Sequence, residues 1–193
     1  ALVAWAALAG GLAAGPAAAA TVQLGQVDSF DNGSFDGWGS GAASPVPPVV
    51  VAGGGPGGAA DSFLRLSATG QQGAGGKLVG IAGPQWVGDY TAAGVTGVSM
   101  WLNNLGATDL SLRLWLLSSS GTSVTSAAVL LPVGSGWQSA RFSLLPAALV
   151  AQGGGFASLG DVDELRLFHG TGASFPGANI AAQLGVDNVT AVP

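Results

Sequence analysis

Cysteine is absent from the 193 residues, which removes disulfide staples, thiolate metal sites and cysteine nucleophiles together. Charge is scarce as well: Lys, Arg, Asp and Glu make up 8% of the chain, with five basic residues against ten acidic ones. The basic residues, Arg65, Lys77, Arg113, Arg141 and Arg166, are scattered. Phosphate neutralisation needs clustered Lys and Arg, so the sequence argues against a nucleic-acid partner and disfavours an anionic membrane surface. There is one histidine, His169, and no G-x-S-x-G elbow to set a serine beside it. A P-loop, a dinucleotide fingerprint and an H-E-x-x-H pair are missing too. Asp161, Asp163 and Glu164 are clustered in sequence. Neighbours on a strand point to opposite faces, so they read as solvated loop acids before they read as a hydrolase pair.

What is present is glycine, 34 residues of it, with abundant Ala, Ser and Thr. That composition suits many turns and small-residue loops around short strands. Val, Leu, Ile and Phe fall in distinct periodic runs, the mark of a folded chain with a core. Residues 1–20, ALVAWAALAGGLAAGPAAAA, are apolar and uncharged, broken by glycines and Pro16, and end in small residues. They read as a signal peptide clipped at its start, with Ala18-Ala19-Ala20 as cleavage site. The remaining roughly 170 residues, 21–193, then form a single domain.

Beyond Thr21 the hydrophobic period is two. The segments 46–51, 63–67, 77–81, 95–102, 110–117, 123–131, 138–144, 162–168 and 184–189 give about nine strands. In Leu110-Ser111-Leu112-Arg113-Leu114-Trp115-Leu116 the leucines take one face and Ser111, Arg113 and Trp115 the other. Residues 103–109 and 118–122 read as hairpin loops between neighbouring antiparallel strands. Pro47-Pro48 confines the strand after it to a sheet edge. Only residues 146–151 have helical character. Strands without intervening helices favour an all-β, two-sheet antiparallel sandwich.

Asp28-Ser29-Phe30-Asp31-Asn32-Gly33-Ser34-Phe35-Asp36-Gly37-Trp38 near the start and Gly185-Val186-Asp187-Asn188-Val189 near the end resemble the first and last strands of galactose-binding-like jelly rolls, a frame shared by many carbohydrate-binding modules. The middle, notably Gln85-Trp86-Val87-Gly88-Asp89-Tyr90 and Leu165-Arg166-Leu167-Phe168-His169, is similar to exported bacterial proteins of the PEP-CTERM-sorted type. Those often carry a C-terminal sorting anchor beginning Pro-Glu-Pro, which the resemblance would place at Ala191-Val192-Pro193. The resemblance implies a structural calcium ion where the first and last strands meet, with Asp28, Asp31 and Asp187 as candidate ligands. Carboxylates and carbonyls suit that hard cation. The family more often has Glu where this chain has Asp31.

Sugar binding needs aromatic faces and planar polar side chains on a rigid surface. Trp101, Arg113 and Trp115 alternate with apolar neighbours and so point away from the core, and Arg166 and Glu164 are placed to join them. Trp38, Trp86 and Trp137 lie beside glycines and read as packing over the core edges. Three functional classes follow: a non-catalytic extracellular binding module for polysaccharide or glycan, a structural protein of the cell envelope or extracellular matrix, and a glycan-acting hydrolase. The first expects stacking tryptophans on an open face. The second expects Trp101 and Trp115 to be buried or in a flat self-association patch. The third, ranked last, needs carboxylates converging in a pocket.

Overall fold

The computed structural model describes residues 21–41, 43–153 and 155–193; the signal-peptide segment, residues 1–20, lies outside them. Among the described residues twelve strands form two antiparallel sheets. The first sheet is ordered β2 (Val49–Val51), β3 (Phe63–Thr69), β12 (Ala181–Val192), β5 (Gly97–Asn104) and β9 (Gln138–Ser143), and the short β1 (Val27–Asp28) also pairs with β12. The second is ordered β10 (Leu149–Gln152), β7 (Ser123–Ser126), β6 (Leu110–Ser118), β11 (Val162–His169) and β4 (Val79–Ile81), with β8 (Val129–Leu131) beside β6.

Alternation decides what each sheet buries. Leu64, Leu66 and Ala68 of β3, Leu184 and Val186 of β12, and Val98, Met100 and Leu102 of β5 all enter one core. Leu110, Leu112, Leu114 and Leu116 of β6 meet them from the second sheet, with Leu165 and Leu167 of β11. Hence Arg65, Gln183, Gly185, Asp187, Trp101 and Asn103 fall on the outer face of the first sheet, and Arg113, Trp115 and Arg166 on the outer face of the second. Among the described residues no helix is long and apolar enough to cross a membrane.

The period-two reading recovers the sandwich, and the first and last strands do meet: Val27 and Asp28 pair with Thr190 and Val189. Three details differ. The segment 103–109 is not a hairpin loop, because β5 and β6 belong to opposite sheets. There the Asn104 amide donates to the carbonyls of Thr108 and Leu131 while its oxygen accepts from the Gly106 N–H, turning the chain across the sandwich. Residues 123–131 are two strands rather than one. The Ser126 hydroxyl donates to the Ala127 carbonyl and accepts from the Leu114 N–H, which breaks the ladder between them. Finally, the helical character of 146–151 is a single 3-10 turn, Pro146–Ala148, leading into edge strand β10.

Candidate functional site

The four residues singled out for ligand contact lie on two separate faces, and the faces differ in how much of their chemistry is already engaged. On the second sheet Trp115 and Arg166 are direct cross-strand partners. Trp115 is stacked on Phe175 with centroids 4.5 Å apart, and the Arg166 guanidinium lies 5.2 Å and 5.0 Å from the two ring centroids. Arg166 donates through Nη2 to both oxygens of Glu164, at 2.7 and 2.8 Å. Arg113 donates to the carbonyls of Gly170 and Ser126. Phe175 comes from the loop after β11 and also meets buried Phe168 edge-on at 5.3 Å. This face is therefore largely covered by its own chain, and Arg113 and Trp115 act there as packing and loop-holding groups.

The outer face of the first sheet is exposed at Trp101 and Gln183 and covered over Gly185 and Asp187. Trp101 is 38% exposed, because its partner on β9 is the small Ser139. Across the sheet, Arg65 of β3 pairs with Gly185, and Gly185 with Asn103 of β5. The missing side chain at Gly185 matters: a Cβ there would lie 2.8 Å from Trp137 Cη2 and 3.3 Å from Phe63 Cδ2. Trp137 thus rests on this sheet face instead of plugging a core edge. Its ring meets Phe63 edge-on at 5.1 Å, and its Nε1 donates to the Gly54 carbonyl at 2.9 Å. Composition gave no sign of this placement; the pairing of a tryptophan with a mid-strand glycine was the only available signal.

Around the two indoles stand polar groups with little intramolecular engagement. The side-chain amides of Asn103 and Gln183 have no hydrogen-bond partner among the described residues, and Gln183 is exposed. Arg65 Nε is buried without a partner. Arg65, Ser67, Thr69 and Gln183 line a trough of about 800 Å³ that reaches the 105–107 turn; neither indole is part of its wall. With strands about 4.8 Å apart and residues about 3.4 Å apart along them, Trp101 and Arg65 are separated by roughly 12 Å. Flat aromatic surface beside free amides and a guanidinium is the chemistry that holds saccharide rings and their hydroxyls.

The three aspartates expected to share a cation do not share one place. Asp28 faces the core, where its Oδ2 accepts the indole N–H groups of Trp38 and Trp86, both at 2.7 Å, and the Gln85 amide at 3.0 Å. Burial pushes its pKa above the ordinary carboxylate range against those three donors, and Asp36 adds to the rise. Asp28 is a structural acceptor joining β1 to the buried tryptophans. Asp187 is different. It is wholly buried, its Oδ1 has no partner, and its Oδ2 accepts from Asn188 Nδ2 at 2.8 Å. Its pKa is pushed up to about 7, first by burial and then by the negative charges of Asp61 and Asp31. Asp61 and Asp31 are therefore the acids whose charge reaches Asp187. Asp31 accepts from the Ser62 N–H and Asp61 from the Gly57 N–H, so both belong to loops folded over this end of the sheet. No ready-made group of three carboxylate or imidazole ligands occurs among the described residues. The orphaned buried oxygen and the mutual repulsion fit a hard cation whose shell is completed by carbonyls.

The acids weighed for hydrolysis do not converge. Asp161 accepts from the hydroxyls of Ser118 and Ser119, which lower its pKa, and Glu164 is held by Arg166. Asp163 is exposed. His169 accepts the Ser111 backbone N–H at Nδ1, and burial lowers its pKa.

No protein-family model matches the chain, and no curated protein matches it by sequence. Solved structures do match. The chain is similar to the family 11 carbohydrate-binding module of Clostridium thermocellum in complex with a β-1,3-1,4-mixed-linked tetrasaccharide, with TM-score 0.57 and 14% identity over 88% of this chain and 96% of that one. It is similar to the CBM22-1 xylan-binding domain of Paenibacillus barcinonensis Xyn10C, with TM-score 0.52 and 14% identity over 89% and 97%. It also matches one quarter of an exo-β-agarase, at TM-score 0.61 and 14% identity over 89% of this chain. At these identities the likeness establishes the fold, the jelly-roll sandwich of carbohydrate-binding modules.

Proposed function

We propose that this chain is a non-catalytic glycan-binding module that holds an extended saccharide across the outer face of the β3-β12-β5-β9 sheet. The observation that carries the reading is the combination on one open face of Trp101 and Trp137 with the uncommitted amides of Asn103 and Gln183. Two of the structural neighbours are carbohydrate-binding modules matched along nearly their whole length, which supports the same reading. An envelope protein without a ligand requires Trp101 and Trp115 to be buried or in a flat self-association patch; Trp115 is half-buried against Phe175 and Trp101 is exposed, so the burial form of that reading fails. The apolar segment 1–20 and the similarity to PEP-CTERM-sorted proteins support export to the cell surface or beyond.

Calcium belongs to this proposal as a structural ion. Asp187 is the carboxylate that would hold it, with loop carbonyls completing the shell and Asp31 and Asp61 adding negative charge nearby. It would neutralise three acids packed beside the sheet and tie the loops bearing Asp31 and Asp61 to the last strand.

The test is isothermal titration of the mature domain with mixed-linkage β-glucan, xylan and agarose oligosaccharides, in calcium and again in chelator. Saturable binding to one of them, lost in Trp101→Ala and kept in Trp115→Ala, is the expected result. A folded protein that ignores the whole panel, or one whose binding survives Trp101→Ala unchanged, contradicts it.

A further inference from the structure

A second cleft, of about 200 Å³, opens at the β4 edge of the other sheet, walled by Lys77, Arg166, Phe175, Ser44 and Ser67 among others. Its chemistry is unlike that of the rest of the molecule. The chain has twice as many acidic as basic residues, yet two of its five cations meet here and no carboxylate lines the cleft. Lys77 is half-buried and has neither an ion pair nor a hydrogen bond among the described residues. A half-buried ammonium without a counter-charge costs stability and invites an anion.

Arg166 is only partly neutralised. Both contacts to Glu164 use Nη2. Its Nη1 has no intramolecular partner among the described residues, and its Nε is buried without one. The Phe175 and Trp115 rings beside the guanidinium fix its orientation at the cleft wall, so its Nη1 end is held already ordered. Ser44 and Ser67 add hydroxyls, and Phe175 adds an apolar ring.

We propose that this cleft binds a carboxylated sugar, a uronate unit, with its carboxylate between Lys77 and Arg166 and its ring against Phe175. A volume of about 200 Å³ accommodates one pyranose and little more. Ser67 lines both this cleft and the trough on the first sheet, so the two sites adjoin where β3 runs on past its pairing with β2, beyond Arg65. The uronate site stands independently of the open-face reading, and each fails or survives by its own variant.

The experiment titrates the mature domain with galacturonate and glucuronate, with neutral galactose and with inorganic sulfate, followed by heteronuclear NMR at low and at physiological salt. Uronate binding that weakens with salt, exceeds that of galactose, and falls about tenfold or more in Lys77→Met is the expected outcome. Trp101→Ala leaves it unchanged. Lys77→Met keeps the aliphatic stem and avoids the stacked Arg166, so loss of fold does not confuse the reading. Equal binding of galactose overturns the role of the carboxylate. Sulfate binding as tightly as uronate reduces the cleft to a general anion hole and overturns the sugar assignment. Uronate binding lost in Trp101→Ala but kept in Lys77→Met puts the ligand on the open face and refutes the second site. Failure of the neutral glycan panel, with uronate binding intact, rejects only the open-face proposal.

Discussion

Replacing Asp28 by alanine removes the one acceptor shared by three donors. The indole N–H groups of Trp38 and Trp86 lie in the core, 3% and 0% exposed, and both donate to this one carboxylate oxygen. A buried donor left without an acceptor costs about 1–3 kcal/mol, so the two indoles alone give roughly 2–6 kcal/mol. For a chain of this length each kcal/mol moves the melting temperature by about 2–4 °C. Asp28→Ala is therefore expected to melt roughly 5–20 °C lower by calorimetry. Asp28→Asn keeps an acceptor oxygen and is expected to lose less. The pH dependence separates the two effects. A carboxyl whose folded pKa is raised contributes stability that is complete below its unfolded pKa and is lost as pH rises through the folded one. Asn does not titrate, so the wild type's advantage over Asp28→Asn is largest in acid and narrows as pH climbs out of the ordinary carboxylate range. An Asp28→Ala protein melting within a degree of wild type, or an advantage that widens with pH, refutes the reasoning.

The same variants separate Asp28 from the cation. Chelator is expected to lower the melting temperature of wild type and of Asp28→Asn alike, and to leave Asp187→Asn unmoved; a chelator response lost in Asp28→Asn restores that residue as a ligand. In chelator, Asp187 with its pKa near 7 makes the wild type lose stability as pH rises from about 4 through 7, whereas Asp187→Asn keeps only the dependence that Asp28 contributes and loses less over that range in a pH series of thermal melts. Gly185→Ala places a methyl where the Trp137 indole lies, and such overpacking typically costs about 1–3 kcal/mol. Its stability is expected to fall by that order in urea unfolding, and its glycan affinity to fall with it, since the indole is displaced from the open face.

How far the sequence carried depended on the kind of signal. Alternation along β6 and β11 put Arg113, Trp115 and Arg166 on a common outer face, and that held, because period-two patterning is a local property. Alternation does not say which sheet a strand joins. Trp101 stood in an equally clear pattern and belongs to the opposite sheet, since β5 and β6 are divided by a crossover that reads like a hairpin. Nor does a strand pattern reveal what covers an outer face. Phe175, far along the chain in a glycine-rich loop, stacks on Trp115 and closes that surface. The same holds for the acids near the last strand: Asp31 and Asp187 stood out by their place near the first and last strands, while the charge of Asp61 reaches Asp187 only through the fold of its loop.

The most direct test of the open-face assignment is the set of indole N–H resonances in a two-dimensional proton–nitrogen spectrum, followed while a bound glycan is titrated into the mature domain. The expected result is that the signals of Trp101 and Trp137 shift together and saturate, while those of Trp38, Trp86 and Trp115 stay in place. Shifts confined to Trp115, or shared equally by all of them, place the glycan elsewhere and contradict the account.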